Sequence, residues 1–277
     1  MNVKKYLTKI EDLSHKKIAL TGATSGIGLA LLKHLVSKNA YVVLLVRNLT
    51  KAKEIVGSLN YSKIDIIEYD QSSYKSIEKA IDELLVKHSD IDTIVLNAGV
   101  LSKKGITEEG YSLTIGVNYF GVRHFIEYIS PKLTKETKIV IQGSLTAGAR
   151  LSKKTDITRT DYGIFKQYNT SKIYLEAYFN KLVKDNSYPL ISYVLTEPGI
   201  SSTRISRNLP KVVYALGKVF LPIVFSTPRK ASLTLLTGIS DKSKNGDFIV
   251  PRGIYNMSGF PKYKKFPPKR EREYLFE

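Results

Sequence analysis

The stretch "KIALTGATSGIGLALLKHLVSK", Lys17 to Lys38, changes character twice. "KIALT" (17–21) is a short β-rich run, "TGATSGIG" (21–28) is a glycine-rich turn, and the "LALLKHLVSK" behind it reads as a helix. Gly22, Gly26 and Gly28 allow a tight turn and a close approach of backbone to ligand, with Thr24, Ser25 and Ile27 set between them. The helix N-terminus that follows presents free N–H groups, which suits a pyrophosphate. Glycines also serve bare strand-to-helix turns. Here the strand before and the helix after are both present, and that context makes the stretch a dinucleotide site.

The same alternation runs outward along the chain. "YVVLLV" (41–46), "KIDIIE" (63–68), "DTIVL" (92–96), "KIVIQ" (138–142), "LISYVL" (190–195) and "DFIV" (247–250) read as strands, mostly too apolar to have a solvated face. Amphipathic runs separate them. In "SYKSIEKAIDELLVKH" (73–88), Ile77, Ile81, Leu84 and Leu85 line one stripe and Ser72 or Ser73 can cap the start. Strands alternating with helices imply right-handed crossovers and a doubly wound α/β fold, a parallel sheet of about seven strands covered on both faces. No repeat or low-complexity linker interrupts the pattern, so one domain is expected over residues 14–257, after an N-terminal extension, 1–13. Residues 258–277, rich in proline and charge, are expected to form an irregular arm.

Composition narrows the function classes. The 277 residues contain no cysteine, which excludes disulfides, thiolate metal sites and a cysteine nucleophile, and no metal site is expected. The N-terminus lacks a signal-peptide core, and nowhere do 18 apolar residues run together, so the chain is read as cytoplasmic. A formal charge of +18 implies attraction to anions, whether a phosphorylated cofactor, an anionic lipid surface or nucleic acid. The lysines are spread over the whole chain and no nucleic-acid module stands out, so no nucleic-acid partner is expected.

The second strand selects the dinucleotide. An NAD site usually offers a carboxylate about 20 residues beyond the glycines. This chain offers "VRNLTKAKE", with Arg47 at the strand end and no acid before Glu54. An arginine there suits a 2′-phosphate through charge-assisted bonds, which favours NADP(H) over NAD(H).

The glycine spacing, with the motifs that follow it, resembles the short-chain dehydrogenase/reductase family over roughly residues 14–204. "NAG" stands at 97–99 after the fourth strand, "VNYFG" at 117–121, a serine after the fifth strand in "QGS" (Ser144), and "PGISST" at 198–203 after the sixth. Tyr-x-x-x-Lys, the family's catalytic signature, occurs four times, beginning at Tyr128, Tyr162, Tyr168 and Tyr214. About two copies would arise by chance in so tyrosine- and lysine-rich a chain, so position must decide. Pro131 falls inside the turn that would follow Tyr128. Tyr162 is followed at once by Gly163 and looks like loop. Tyr168 and Lys172 share a helical face with Leu175 and Phe179, and Lys172 lies 26 residues before Pro198, the family's separation.

The resemblance implies an enzyme that interconverts a carbonyl and an alcohol. It makes Tyr168 the general acid, with Lys172 stabilising its phenolate, Ser144 aligning the substrate oxygen, and Asn118 holding a water between Lys172 and solvent. It assigns Gly22, Thr24, Ser25, Gly26, Ile27, Gly28, Asn97, Ala98, Gly99, Pro198 and Gly199 to the cofactor, with Tyr168 and Lys172. Thr203 falls to its carboxamide and Asp70 to its adenine. Two departures, Leu96 before "NAG" and "GS" in place of two serines, remove no catalytic group. The step from Ser144 to Tyr168 is longer than usual and resembles the branch of retinol dehydrogenases and protochlorophyllide reductases, with residues 149–163 as one rim of the pocket.

Residues 204–226 should form the other rim, an amphipathic lid. Over 209–220, Lys211, Tyr214 and Lys218 share a face opposite Val212, Val213, Leu216, Val219 and Phe220, which fits either closure over an apolar pocket or peripheral contact with a membrane. Both point to a lipophilic or aromatic substrate. A homodimer or homotetramer is left open. Two competing readings are an idle NADP-binding sensor and a polyanion-binding protein. The first does not need the intact set of Asn118, Ser144, Tyr168 and Lys172.

Overall fold

The computed structural model describes residues 2–102, 104–148, 155–201 and 226–276. Eight strands form one sheet in the order β3-β2-β1-β4-β5-β6-β7-β8. These are β1 (Lys17–Thr21), β2 (Tyr41–Val46), β3 (Ile64–Glu68), β4 (Thr93–Leu96), β5 (Thr137–Gln142), β6 (Ile191–Thr196), β7 (Phe248–Pro251) and β8 (Pro261–Lys264). The first seven are parallel; β8 runs antiparallel to β7, with Phe248 opposite Lys264 and Pro251 opposite Pro261. The expected parallel sheet is present with one more strand, drawn from the segment expected to be an irregular arm. That segment reads poorly as a strand because Pro261 and the lysines around Tyr263 suit only a sheet edge, and an edge is where β8 lies.

Two cores explain why the strands lack a polar face. Ala19 of β1 belongs to one core, while Ile18 and Leu20 belong to the other. The first is closed by α4 (Tyr74–Lys87), α6 (Gly121–Ile129) and α7 (Ile164–Asp185), through residues such as Ile77, Leu84, Phe125, Leu175 and Phe179. The second is closed by α2 (Gly26–Val36), α3 (Leu49–Leu59) and, after a short α8 (Pro228–Ala231), by α9 (Leu233–Ile239). The cap of α4 is Ser73, whose hydroxyl accepts from the Ser76 N–H, and the expected apolar stripe is buried at Ile77, Ile81 and Leu84. The sheet order reverses between β1 and β4, which opens a crevice at the strands' carboxyl ends.

The N-terminal extension is not loose. It carries α1 (Val3–Leu7) and buries Ile10 and Leu13. Among the described residues no helix is long and apolar enough to cross a membrane. Thr203, the lid residues 204–225 and the stretch expected to touch membranes, 209–220, lie outside the described residues, as does the 149–154 part of the other rim.

Candidate active site

Every described site residue expected from the sequence lies at the carboxyl edge of the sheet or on the helices beside it. After β1, Gly22 has a φ of +71°, which favours glycine. Gly28 has a different need: a Cβ there would stand 2.2 Å from the Gly22 carbonyl oxygen and 2.6 Å from Asn97 Nδ2. The turn is therefore packed flush against the "NAG" segment, with Thr24 at its crest and Gly26 and Ile27 beginning α2. Ser25 occupies the N-cap position of α2 but makes no side-chain cap. The first N–H groups of the helix thus remain for a diphosphate, and this glycine cradle fits the dinucleotide.

Thr21 organises the crevice in a way the sequence did not reveal. Its hydroxyl accepts from the N–H groups of Asn97 (3.0 Å) and Ala98 (2.9 Å) and donates to the Val95 carbonyl (3.3 Å). Asn97 Nδ2 returns a bond to the Thr21 carbonyl at 2.9 Å. At the adenine end, Arg47 follows β2 and Asp70 follows β3, with guanidinium and carboxylate 3.8 Å apart. The Arg47 side chain is 72% exposed, and Asp70 Oδ1 accepts from the Ser72 N–H and hydroxyl. A cation and an acid thus meet where the sequence placed the 2′-phosphate and the adenine.

At the reacting end, Asn118 sits in a π-helical turn, Gly116–Phe120, between α5 (Leu113–Ile115) and α6. Such turns often mark functional positions. Its side-chain carbonyl accepts from the Val100 N–H (2.8 Å), and its amide donates to the Val100 carbonyl (2.9 Å) and Ser171 Oγ (3.3 Å). The side chain is therefore committed to protein partners, which leaves the residue's backbone carbonyl as the group for the expected water between Lys172 and solvent. It ties the segment after β4 to α7, because Ser171 in turn donates to the Tyr168 carbonyl at 2.7 Å.

The copies of the doubled motif differ in their surroundings. α7 begins at Ile164, with Tyr162 and Gly163 before it. Lys166 Nζ lies 3.6 Å over the Tyr162 ring, a cation–π contact, and the Tyr162 hydroxyl accepts from the Asp156 N–H. Lys132 likewise sits 3.6 Å over Tyr128. The fourth pair, Tyr214 and Lys218, is outside the described residues. Among the described pairs, only Tyr168 and Lys172 have the ammonium buried beside a strand end, where Lys172 Nζ donates to the Gln142 carbonyl at the end of β5, at 2.8 Å.

Ser144 follows that strand, and its hydroxyl meets the Tyr168 phenol and Thr146 Oγ1. Burial holds the phenol above its ordinary value, partly offset by Ser144. Lys172 was expected to pull it down. In this conformation the ammonium is turned to Gln142, and burial brings Lys172 itself down to about 8.

Beneath this group lies a pair of acids that the sequence reading missed. Glu176, one turn beyond Lys172, and Glu197, just before Pro198 and Gly199, are both fully buried. Burial, with Glu197 close by, pushes Glu176 well above the usual carboxylate range. Glu176 had a signal, the i, i+4 spacing from Lys172. A cleft of about 590 Å³ opens beside Leu145 and Gly148, with Tyr255, Lys262, Lys264 and Arg270 in its wall. The wall of this cleft is thus partly cationic.

Residues 16–212 match the sequence profile of the short chain dehydrogenase family. The chain belongs to that family. A short-chain dehydrogenase/reductase of Emericella nidulans is 26% identical, over 88% of this chain and 86% of that protein. A polyprenol dehydrogenase of Danio rerio is 27% identical, over 83% and 75%. The fold is shared with an uncharacterised protein of Mycobacterium paratuberculosis, at a TM-score of 0.77 and 17% identity over 97% and 92% of the two chains. This short-chain dehydrogenase is accordingly an oxidoreductase that interconverts CH–OH and C=O groups with a nicotinamide dinucleotide.

Proposed function

We propose that this enzyme is an NADPH-dependent oxidoreductase for a lipophilic or aromatic carbonyl or alcohol, with Tyr168 as the proton donor. The observation that carries the reading is the meeting of the Ser144 hydroxyl and the Tyr168 phenol, one helical turn from a buried Lys172. The cofactor, when bound, supplies or accepts the hydride. Ser144 then holds the substrate oxygen, and the Tyr168 O–H bond breaks as its proton passes to that oxygen to complete the alcohol. A phenol held protonated by burial suits this direction. Lys172 binds the nicotinamide ribose and restores the tyrosine's proton. Asn118 and Ser171 keep α7 in register with the loop after β4.

Arg47 supports NADPH, since its exposed guanidinium is free to leave Asp70 for a dianionic 2′-phosphate. A lipophilic substrate is supported by the polyprenol named in the Danio rerio relative and by the apolar face of 209–220. A cytoplasmic location belongs to the same reading, in keeping with the cysteine-free composition. The test follows NADPH oxidation against long-chain, steroidal and aromatic ketones, aldehydes, quinones and enones. Turnover of a lipophilic carbonyl is expected, and turnover confined to small polar carbonyls overturns the substrate class. NADPH is expected to bind at least ~10-fold more tightly than NADH, about 1.4 kcal/mol, and Arg47→Ala to erase most of that margin. Equal affinity in the unmodified enzyme would refute the cofactor assignment.

A further inference from the structure

A short turn of the C-terminal arm reaches the floor of the active site. Arg270, on a 3-10 turn (Pro268–Arg270) beyond β8, has a side chain only 12% exposed. Its Nη1 lies 3.1 Å from Glu176 Oε2 and 2.5 Å from Glu197 Oε1. The other oxygen of Glu176 accepts the backbone N–H of Ser144 at 3.3 Å. Two glycines pack closely against this contact: a Cβ on Gly143 would stand 2.8 Å from Glu176 Oε1, and one on Gly148 would stand 2.7 Å from Arg270 Nη2. Arg272 adds a 2.9 Å bond to the Ala147 carbonyl, so two arginines of the C-terminal arm grip the loop that carries Ser144.

We propose that Arg270 is a positioning residue of the catalytic site, holding the Glu176 carboxyl beneath Ser144 and favouring its anion in electrostatic reach of the Lys172 ammonium. The inference rests on the assignment of Ser144, Tyr168 and Lys172 as the reacting group. Two carboxylates buried together resist ionising, and the guanidinium between them offsets part of that cost, drawing both back toward the anion. The charged groups around the pair all act in this balance. Lys172 on α7 gains charge stabilisation from Glu176, and Lys264 on β8 and Arg270 both lower Glu197. Tyr168 on α7 is pushed up by Glu176, whereas Arg272 on the arm is stabilised as a cation by it. The guanidinium touches no reacting atom. It acts through Glu176 on two that do: the backbone of Ser144 and the charge of Lys172.

The sign of the coupling gives the test. Without Arg270, Glu176 is pushed up further and is neutral over more of the range in which Lys172 titrates, so Lys172 loses counter-charge and titrates at lower pH. Without the Glu197 charge, Arg270 serves Glu176 alone and Lys172 titrates at higher pH. The Lys172 titration can be read in the cofactor-free protein from the ε-carbon resonances of 13C-lysine, assigned by Lys172→Met. Alongside it, the alkaline limb of the kcat profile is read with NADPH and the best carbonyl of the panel.

Arg270→Met is expected to move both midpoints down by at least about half a pH unit and to lower kcat ~10-fold or more, with Arg270→Lys recovering most of both. Glu197→Gln is expected to move them up, and this variant decides the matter if Arg270→Met does not fold. Midpoints unchanged in Glu197→Gln, or in a folded Arg270→Met, overturn the inference. Tyr168→Phe serves as the control. If it keeps full turnover, the catalytic assignment itself falls; if it is inactive while the midpoints stay fixed, only the role of Arg270 falls.

Discussion

On the proposed assignment Tyr168 gives up a proton, and such a tyrosine must first be kept from losing it; burial holds the Tyr168 phenol above its ordinary value, with Ser144 beside it. Tyr168→Phe keeps the ring and removes the acid, so turnover should fall by the 10²–10⁴-fold typical of losing a general acid, with NADPH affinity little changed. Tyr162→Phe should keep turnover within roughly one order of magnitude, because that phenol only braces Asp156 and its ring already carries Lys166. An inactive Tyr162→Phe beside an active Tyr168→Phe would reverse the choice of pair. Lys172 makes a second prediction. Burial brings it from 10.5 to about 8, so the fold disfavours the ammonium, and this group's contribution to stability rises as pH goes from about 8 to 10.5. The anionic cofactor favours the ammonium. Binding therefore takes up a proton above pH 8, and NADPH affinity should weaken there by up to ~10-fold per pH unit. Titrating the protein with NADPH from pH 7 to 9.5 tests this, with Lys172→Met expected to be weak and flat. A slope shared by both proteins would remove Lys172 from the cofactor site.

Elements were legible wherever one local pattern governed them. The β1-turn-α2 unit needs only its own residues: alternate burial of Ile18, Ala19 and Leu20 in two cores, a glycine at positive φ, and a helix start. The four Tyr-x-x-x-Lys copies could be ranked by neighbours such as Pro131 and Gly163 because helix breakers act locally. The exact start of α7 was not legible, since "IFKQ" carries no cap signal and Gly163 stands at the N-cap without a side chain to announce it. The side-chain partners of Asn118, Val100 and Ser171, were not legible, because Ser171 is 53 residues away and Val100 18. The glycine turn allows a paired test. Gly28→Ala forces a methyl to 2.2 Å from the Gly22 carbonyl, a backbone atom with no slack. The expected cost is ~1–3 kcal/mol, together with at least a ~10-fold loss of NADPH affinity as the cradle opens. Gly57→Ala, in α3 with nothing within 4 Å, should instead leave binding alone and gain up to ~1 kcal/mol. Urea midpoints and NADPH titration of the two variants check both, and an unaffected Gly28→Ala would show that the turn is not packed as described.

On the scale of the whole molecule, both chain ends are structural, and neither was legible as such. Proline and charge in 258–277 are the usual marks of a solvated tail, and only the sheet edge beside β7 gives them another use. Arg270 carried no signal at all, since the two acids it joins are separated from it by 94 and 73 residues. The N-terminal segment meets this arm directly. Tyr6 stacks on Phe260 with ring centroids 5.4 Å apart and planes 25° apart, and its hydroxyl bonds Thr237 Oγ1 of α9 at 2.8 Å. The stack fastens the first described helix to the residue just before β8, so the two ends should loosen together. Tyr6→Ala and Phe260→Ala are each expected to lower stability, and the double variant should lose less than the sum by ~0.5–1.5 kcal/mol, the coupling of an aromatic pair. Tyr6→Phe separates the hydroxyl from the ring. Thr237 Oγ1 still donates to the Leu233 carbonyl in that variant, so its loss should be ~0.5–1.5 kcal/mol and leave the coupling to Phe260 intact. Urea unfolding of the four proteins in the alanine cycle measures the coupling. Strict additivity would mean that the N-terminal helix and the C-terminal arm are held to the sheet independently, each by its own contacts.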